Sequence, residues 1–219
     1  HYKIGEVFRK INNHEKALFH FKKSLELSKF DSNFKDNENE KNNRYAKSLL
    51  RTGYEFFKLK KIDSAKYYYS KITTINHFNN ELEELKASAY NNLSGIYLHD
   101  SLYDFARKHA LKSIEIRRKN NNKTYEAAAL GNLASIYLEE KKFSNAKYIY
   151  LEAINLIRDD QSNKAIRFKE DLYFNLAWTL YRMKDYTAYD YQELSYIIKD
   201  SLRDKETRRA VEQVYAQQK

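Results

Sequence analysis

The chain has no cysteine and no proline, only four glycines in 219 residues, and no run approaching the roughly 18 apolar residues of a membrane span. Without cysteine there is no disulfide framework, no thiolate metal site and no cysteine nucleophile, although compartment is left open. The lack of proline and the scarcity of glycine remove the residues that break helices and build tight turns, so a mostly helical protein is expected. Four scattered glycines cannot form a phosphate-binding loop. The six histidines show no ligand spacing: His14 and His20 are too far apart for one helix face, and His99 and His109 fall on different helices. Glu81 to Glu84 reads as a solvated helix start and not as an acid–base pair. The sequence therefore offers no catalytic residue, no metal site and no cofactor motif, and the expectation is that the protein is not an enzyme.

What is present is charge, asparagine and tyrosine. Charged residues make up 32% of the chain and hydrophobic ones 42%, which is a folding composition. The formal net charge of +10 and pI near 9.4 raise nucleic acid as a partner. Acidic and basic residues are nevertheless interleaved, as in KSLELSK and RDKETRRAVE, which reads as solvated helix faces, so nucleic-acid binding is the alternative and not the leading expectation.

One pattern recurs: an aromatic, an Ala nine residues later, and a further residue, large in three of the four cases, four beyond that. The instances are Phe8, Ala17, Phe21; Phe56, Ala65, Tyr69; Tyr97, Ala106, Ala110; and Tyr137, Ala146, Tyr150. A small residue stands three places before each aromatic: Gly5, Gly53, Ser94 and Ala134. Two antiparallel helices need this arrangement, because a small residue in each lets the backbones approach while large side chains fill the space beside them. Short polar turns lie between the helices, with Asp63, Asp104 and Ser144 expected at the helix starts. Residues 31–43 are polar and without periodicity, and are expected to form a loop insertion.

These units resemble the tetratricopeptide repeat, most clearly at Tyr90, Leu93, Ser94, Tyr97, Ala106 and at Leu130, Leu133, Ala134, Tyr137, Ala146. The closing Pro of that family is missing, and the Gly survives only as Gly5 and Gly53. The interval between the repeat alanines is about 40 residues against the family's usual 34. That longer period resembles the extended repeats of kinesin light chains, spindle-orientation adaptors and bacterial peptide-pheromone receptors. The resemblance implies an all-α, right-handed α-solenoid of antiparallel helix hairpins over residues 1–198. It would hold about five hairpins, the first incomplete and the last degenerate, with Tyr173, Leu176, Ala177 and Leu180 matching but Tyr189 where a small residue belongs and Glu193 after it. The chain is expected to continue upstream. Residues 199–219 read as a linker helix, resembling the segment after the repeats in membrane-anchored sensor kinases and helix-turn-helix regulators of the Bacteroidetes. The expected setting is thus the sensory or interaction region of a larger bacterial signalling or transcription-regulatory protein, periplasmic in preference to cytoplasmic.

In such a stack the first helix of each pair lines a concave groove. The stripe opposite its core residues selects Lys47, Arg51, Tyr54 and Lys58; then Ser88, Asn92, Gly95 and His99; then Ala128, Asn132, Ser135 and Glu139; and Asp171, Asn175, Trp178 and Arg182. Asn92, Asn132 and Asn175 recur at one register, and an Asn amide both donates and accepts, as a peptide backbone requires. The resemblance implies that these three clamp a ligand's main chain. Tyr54 and Trp178 would supply flat anchoring area, Trp178 reading equally as a core residue, while Lys47, Arg51 and Lys58 make one end basic, so an acidic partner is expected there. A protein or peptide is the expected partner, with self-association through a solenoid end or the C-terminal helix as a further expectation.

Overall fold

The structure is a computed structural model that describes residues 1–30 and 38–217. Its described residues form ten helices and no strand: α1 (Tyr2–Lys10), α2 (His14–Phe30), α3 (Glu38–Lys58), α4 (Ile62–Thr73), α5 (Asn80–His99), α6 (Tyr103–Lys119), α7 (Lys123–Glu139), α8 (Phe143–Leu156), α9 (Asn163–Arg182) and α10 (Ala188–Gln217). Consecutive helices pair as five hairpins, and the chain divides into two compact units, His1–Asn120 and Asn121–Lys219.

The steric pattern in the sequence is the pattern of the core. Ala17, Ala65, Ala106 and Ala146 are all fully buried. A Cβ added to Gly5 would lie 2.7 Å from the Phe21 ring, and one added to Gly53 would lie 2.7 Å from Tyr69, so only glycine permits these approaches. In the first unit Leu49, Phe56, Tyr69, Ile72, Leu82, Leu93 and Ile96 form one continuous core across α3, α4 and α5.

Each hairpin turns in the same way, by means absent from the sequence reading. Asn12, Lys60, Ser101, Lys141 and Lys184 hold φ between 56° and 61°. At α5 the Ser101 N–H donates to the Leu98 carbonyl at 2.9 Å and the Leu102 N–H to the Tyr97 carbonyl at 2.8 Å; the other four turns repeat this pair. Left-handed backbone costs a non-glycine residue on the order of 1 kcal/mol, offset here by closing two carbonyls that the helix end leaves free. Chain reversal thus needs neither Pro nor Gly.

Three expectations are corrected. Residues 38–43 are not loop but the first turns of α3; residues 31–37 lie outside the described residues. The helix is hidden in the sequence because its first turns are polar: the buried Asn43 donates to Glu81 at 2.6 Å, and the exposed Asn39 meets His77. Second, Asp63, Asp104 and Ser144 do not cap. The caps are Lys61, Leu102 and Lys142, with no side-chain bond, and the two aspartates sit in the first turn, where they favour the positive helix end. The capping side chains include Asn13, accepting from the Lys16 N–H at 3.1 Å, Asn79, accepting from the Leu82 N–H at 2.9 Å, and Ser162, accepting from the Ala165 N–H at 3.2 Å. Third, the fifth hairpin keeps its small residue, at Ala188 and not at the expected Tyr189, because α10 begins further from its turn. The boundary expected at 198 falls inside α10, which continues to Gln217.

Candidate functional site

In the first unit α5 lies beside α3, and in the second α9 lies beside α7, so first helices are neighbours within each unit. The residues of the expected stripes are all at least partly exposed, and the stripes differ in what they present.

On α3 the basic end is largely neutralised. Lys47 pairs with Glu81 on α5. Arg51 Nε lies 2.6 Å from Glu6 on α1 and 3.3 Å from the Tyr2 hydroxyl. Burial works against the Arg51 charge, yet Tyr2 and Glu6 outweigh it and hold the guanidinium above its ordinary pKa. Lys58 is exposed and lies 5.8 Å over the Tyr54 ring. The acidic-partner expectation loses its support here, since two of its three cations already hold carboxylates. Behind this wall the α2–α3 contact is polar: Ser24 meets Ser48 at 3.1 Å, and His14 Nδ1 lies 2.7 Å from the fully buried Glu55. Burial pushes the Glu55 carboxyl above the usual carboxylate range, with His14 opposing it. On α5, Asn92 is half-buried, Gly95 is open enough that an added Cβ would touch nothing within 4 Å, and His99 is exposed beside Asp100 at 3.4 Å.

In the second unit a Cβ on Gly131 would stand 2.8 Å from a terminal methyl of Leu172, so the bare backbone of α7 gives that side chain of α9 its place. Asn132 and Asn175 sit half-buried at one register on these neighbouring helices. Ser135 does not serve the groove as expected: its hydroxyl bonds the Gly131 carbonyl at 3.0 Å and the Tyr150 hydroxyl at 2.8 Å, inside the hairpin. Burial pushes the Tyr150 phenol up, and Ser135 opposes that shift. Trp178 is 47% exposed and stacks on Tyr181 at 5.5 Å, while Arg182 lies over both Trp178 and Phe143. Sequence reasoning missed the company Trp178 keeps. Phe174, Tyr181 and Tyr189 are all more than half exposed around a cavity of about 240 Å³. Setting the fifth repeat beside the fourth places Phe174 where Gly131 stands, a signal that was available.

Comparison with known proteins agrees with this hairpin geometry. Tetratricopeptide-repeat family models match residues 1–31 and 85–159. Those two segments carry tetratricopeptide repeats. No curated protein matches it in sequence. Among solved structures, these repeats are similar to BtubC (BKLC) from P. vanneervenii, at 15% identity and TM-score 0.71 over 91% of this chain and 78% of that one. They are also similar to the apo form of RapI, at 18% identity and TM-score 0.73 over 94% and 71%. A third likeness is to the Rap conjugation gene regulator of plasmid pLS20 in complex with the Phr* peptide, at 15% identity and TM-score 0.72 over 98% of this chain and 56% of that one. At such identities the likeness is one of fold. Among the described residues no helix of the tetratricopeptide stack is long and apolar enough to cross a membrane, and no cluster of three or more His, Cys, Asp or Glu is placed to hold a metal.

Proposed function

We propose that this chain is a scaffold that binds a protein or peptide along its first helices, Asn92 in the first unit and Asn132 and Asn175 in the second each bonding ligand main chain. The observation that carries the reading is the recurrence of a half-buried Asn at one register on α5, α7 and α9. It is supported by the fold's likeness to a Rap regulator solved with a peptide bound. The neutralised cations on α3 favour this over the nucleic-acid alternative, which needs free basic side chains facing phosphates. The resemblance of residues 199–219 to the linkers of sensor kinases supports a place in the periplasmic part of a larger bacterial signalling protein.

A peptide selected from a display library provides the test. Each Asn-to-main-chain bond is worth on the order of 1 kcal/mol net, so Asn92→Ala or Asn175→Ala should weaken the selected peptide by roughly five- to tenfold with little change in melting temperature. Affinity should fall by no more than about twofold between 0.1 and 0.5 M salt, where a phosphate-driven complex would lose orders of magnitude. Unchanged affinity in both variants, or a collapse with salt, would remove the asparagine stripe from the site.

A further inference from the structure

The groove between α7 and α8 is occupied by the chain itself, because α9 lies in it. Two features let α9 in: the bare backbone at Gly131, against which Leu172 packs, and Lys147 on α8, which pairs with Asp185 at 3.0 Å. The next groove in the same unit, between α9 and α10, has the same architecture and different side chains. Phe174 stands at the register of Gly131, Trp178 at that of Ser135, Tyr181 at that of Leu138 and Tyr189 at that of Lys147. α10 runs on as one helix to Gln217, so no described residue turns back to fill this groove.

The aromatic rings exclude another helix at the spacing that α9 achieves. A helix is about 10–12 Å across with its side chains, and the ring of Phe174 occupies the place its nearest residue would need. What remains is walled by aromatic rings. A cavity of about 240 Å³ is bounded by Phe174, Trp178, Tyr181, Ala188, Tyr189 and Gln192. Beyond the ridge of Tyr181 and Tyr189 a second one, of about 400 Å³, is reached past Arg182 and Lys184. Aromatic ridges separated by shallow cavities suit the polyproline II helix, a thin conformation with three residues per turn and no internal hydrogen bonds. Its prolines present carbonyl acceptors and no N–H, and this wall carries indole, phenol and amide donors. The second cavity is cationic, since Arg182 and Lys184 are exposed at its rim while Asp185 is held by Lys147.

We propose that the groove between α9 and α10 binds a proline-rich segment of a partner protein in the polyproline II conformation, with an acidic residue beside the prolines. The site adjoins the asparagine stripe, shares Trp178 and Arg182 with it but none of its asparagines, and stands whether or not those asparagines hold a ligand.

Trp178 is the single tryptophan, so its fluorescence reads the site directly. The probe is a synthetic peptide of about ten prolines flanked by two glutamates, in keeping with the length of such recognition motifs. The expected result is a saturable change in Trp178 emission. Tyr189→Ser and Phe174→Ser should each weaken binding about tenfold or more, with unaltered far-UV circular dichroism because both side chains are largely exposed. Lys184→Gln should weaken it by about two- to threefold, in line with an exposed charge pair. A variant lacking all three stripe asparagines should bind the proline peptide as the parent does. The proposal is overturned if the peptide produces no saturable change, if both aromatic variants bind it unchanged, if the asparagine variant loses it, or if an amphipathic helical peptide with Leu at i, i+4 and i+8 binds more tightly.

Discussion

The fourth and fifth hairpins have the same backbone plan and opposite surfaces. Both turn through a lysine in the left-handed region, Lys141 and Lys184, and both close over a buried alanine, Ala146 and Ala188. Yet the fourth offers its neighbour a glycine and a lysine, while the fifth offers a phenylalanine and a tyrosine at the matching places. In a repeat protein the backbone sets where a groove lies. A few side chains on its rim decide whether the chain fills it or leaves it for something else.

Breaking that comparison at its tightest point should have the largest effect. Gly131→Phe gives the fourth hairpin the side chain of the fifth, and even a Cβ there meets Leu172 at 2.8 Å. We expect a loss of about 3 kcal/mol or more, at the upper end of overpacking, with a clear fall in the chemical-denaturation midpoint. The reverse change, Phe174→Ala, should move stability by no more than about 0.5 kcal/mol because its ring is half exposed. Equal effects from both would mean that the two grooves are not distinguished by this position.

The alanines sharpen the comparison at a smaller scale. Ala146 is completely enclosed, so Ala146→Leu should cost about 1 to 3 kcal/mol. Ala188 borders the open cavity, which has room for the added carbons, and Ala188→Leu should cost under about 1 kcal/mol. Thermal melts of the two variants against the parent measure the difference. An Ala188→Leu variant as damaged as Ala146→Leu would show that the cavity is closed in solution.

What was legible in the sequence was what sterics impose. Helix pairs require Ala17, Ala65, Ala106 and Ala146 to be small and Phe21, Tyr69 and Tyr150 to be large, and those requirements recur at a fixed interval that any reading of the chain can find. The register of Asn92, Asn132 and Asn175 was legible for the same reason. Pairings between distant residues were not. Nothing near Lys47 or Arg51 in the chain announces Glu81 or Glu6, and Ser135 looked like groove lining until Tyr150 came to meet it. The start of α3 was missed because its first turns are polar and its one buried residue there, Asn43, is satisfied by Glu81 38 residues away, so hydrophobic periodicity had nothing to register. The aromatic groove required comparing residue 174 with residue 131, a comparison between repeats and not within one.

The smallest effect concerns the charge that ties the fourth hairpin to the fifth. Asp185 accepts from Thr187 Oγ1 at 2.7 Å and from the Thr187 N–H at 3.1 Å, and it pairs with Lys147 at 3.0 Å. Together these lower its carboxyl to a pKa of about 2, with the Thr187 hydroxyl bond the largest cause and the Lys147 bond second. Because the folded value lies below the ordinary one, the contribution to stability is present above the normal carboxylate range and is lost as pH falls through about 2. The site is solvent-facing, so the effect on melting is small and the titration itself is the better measure. NMR of the Asp185 carboxyl should show Thr187→Val moving the midpoint upward more than Lys147→Ala does. The first variant strips the short hydroxyl bond, whereas the second leaves the turn intact and removes a partner that water and salt already screen. In the fifth hairpin the residue matching Lys147 is Tyr189, so no ion pair of this kind can be offered to whatever lies in the open groove. If Lys147→Ala alone returned Asp185 to an ordinary carboxylate value, the lysine and not the turn would set this charge, and replacing that lysine by Tyr189 would mark the deepest difference between the two hairpins.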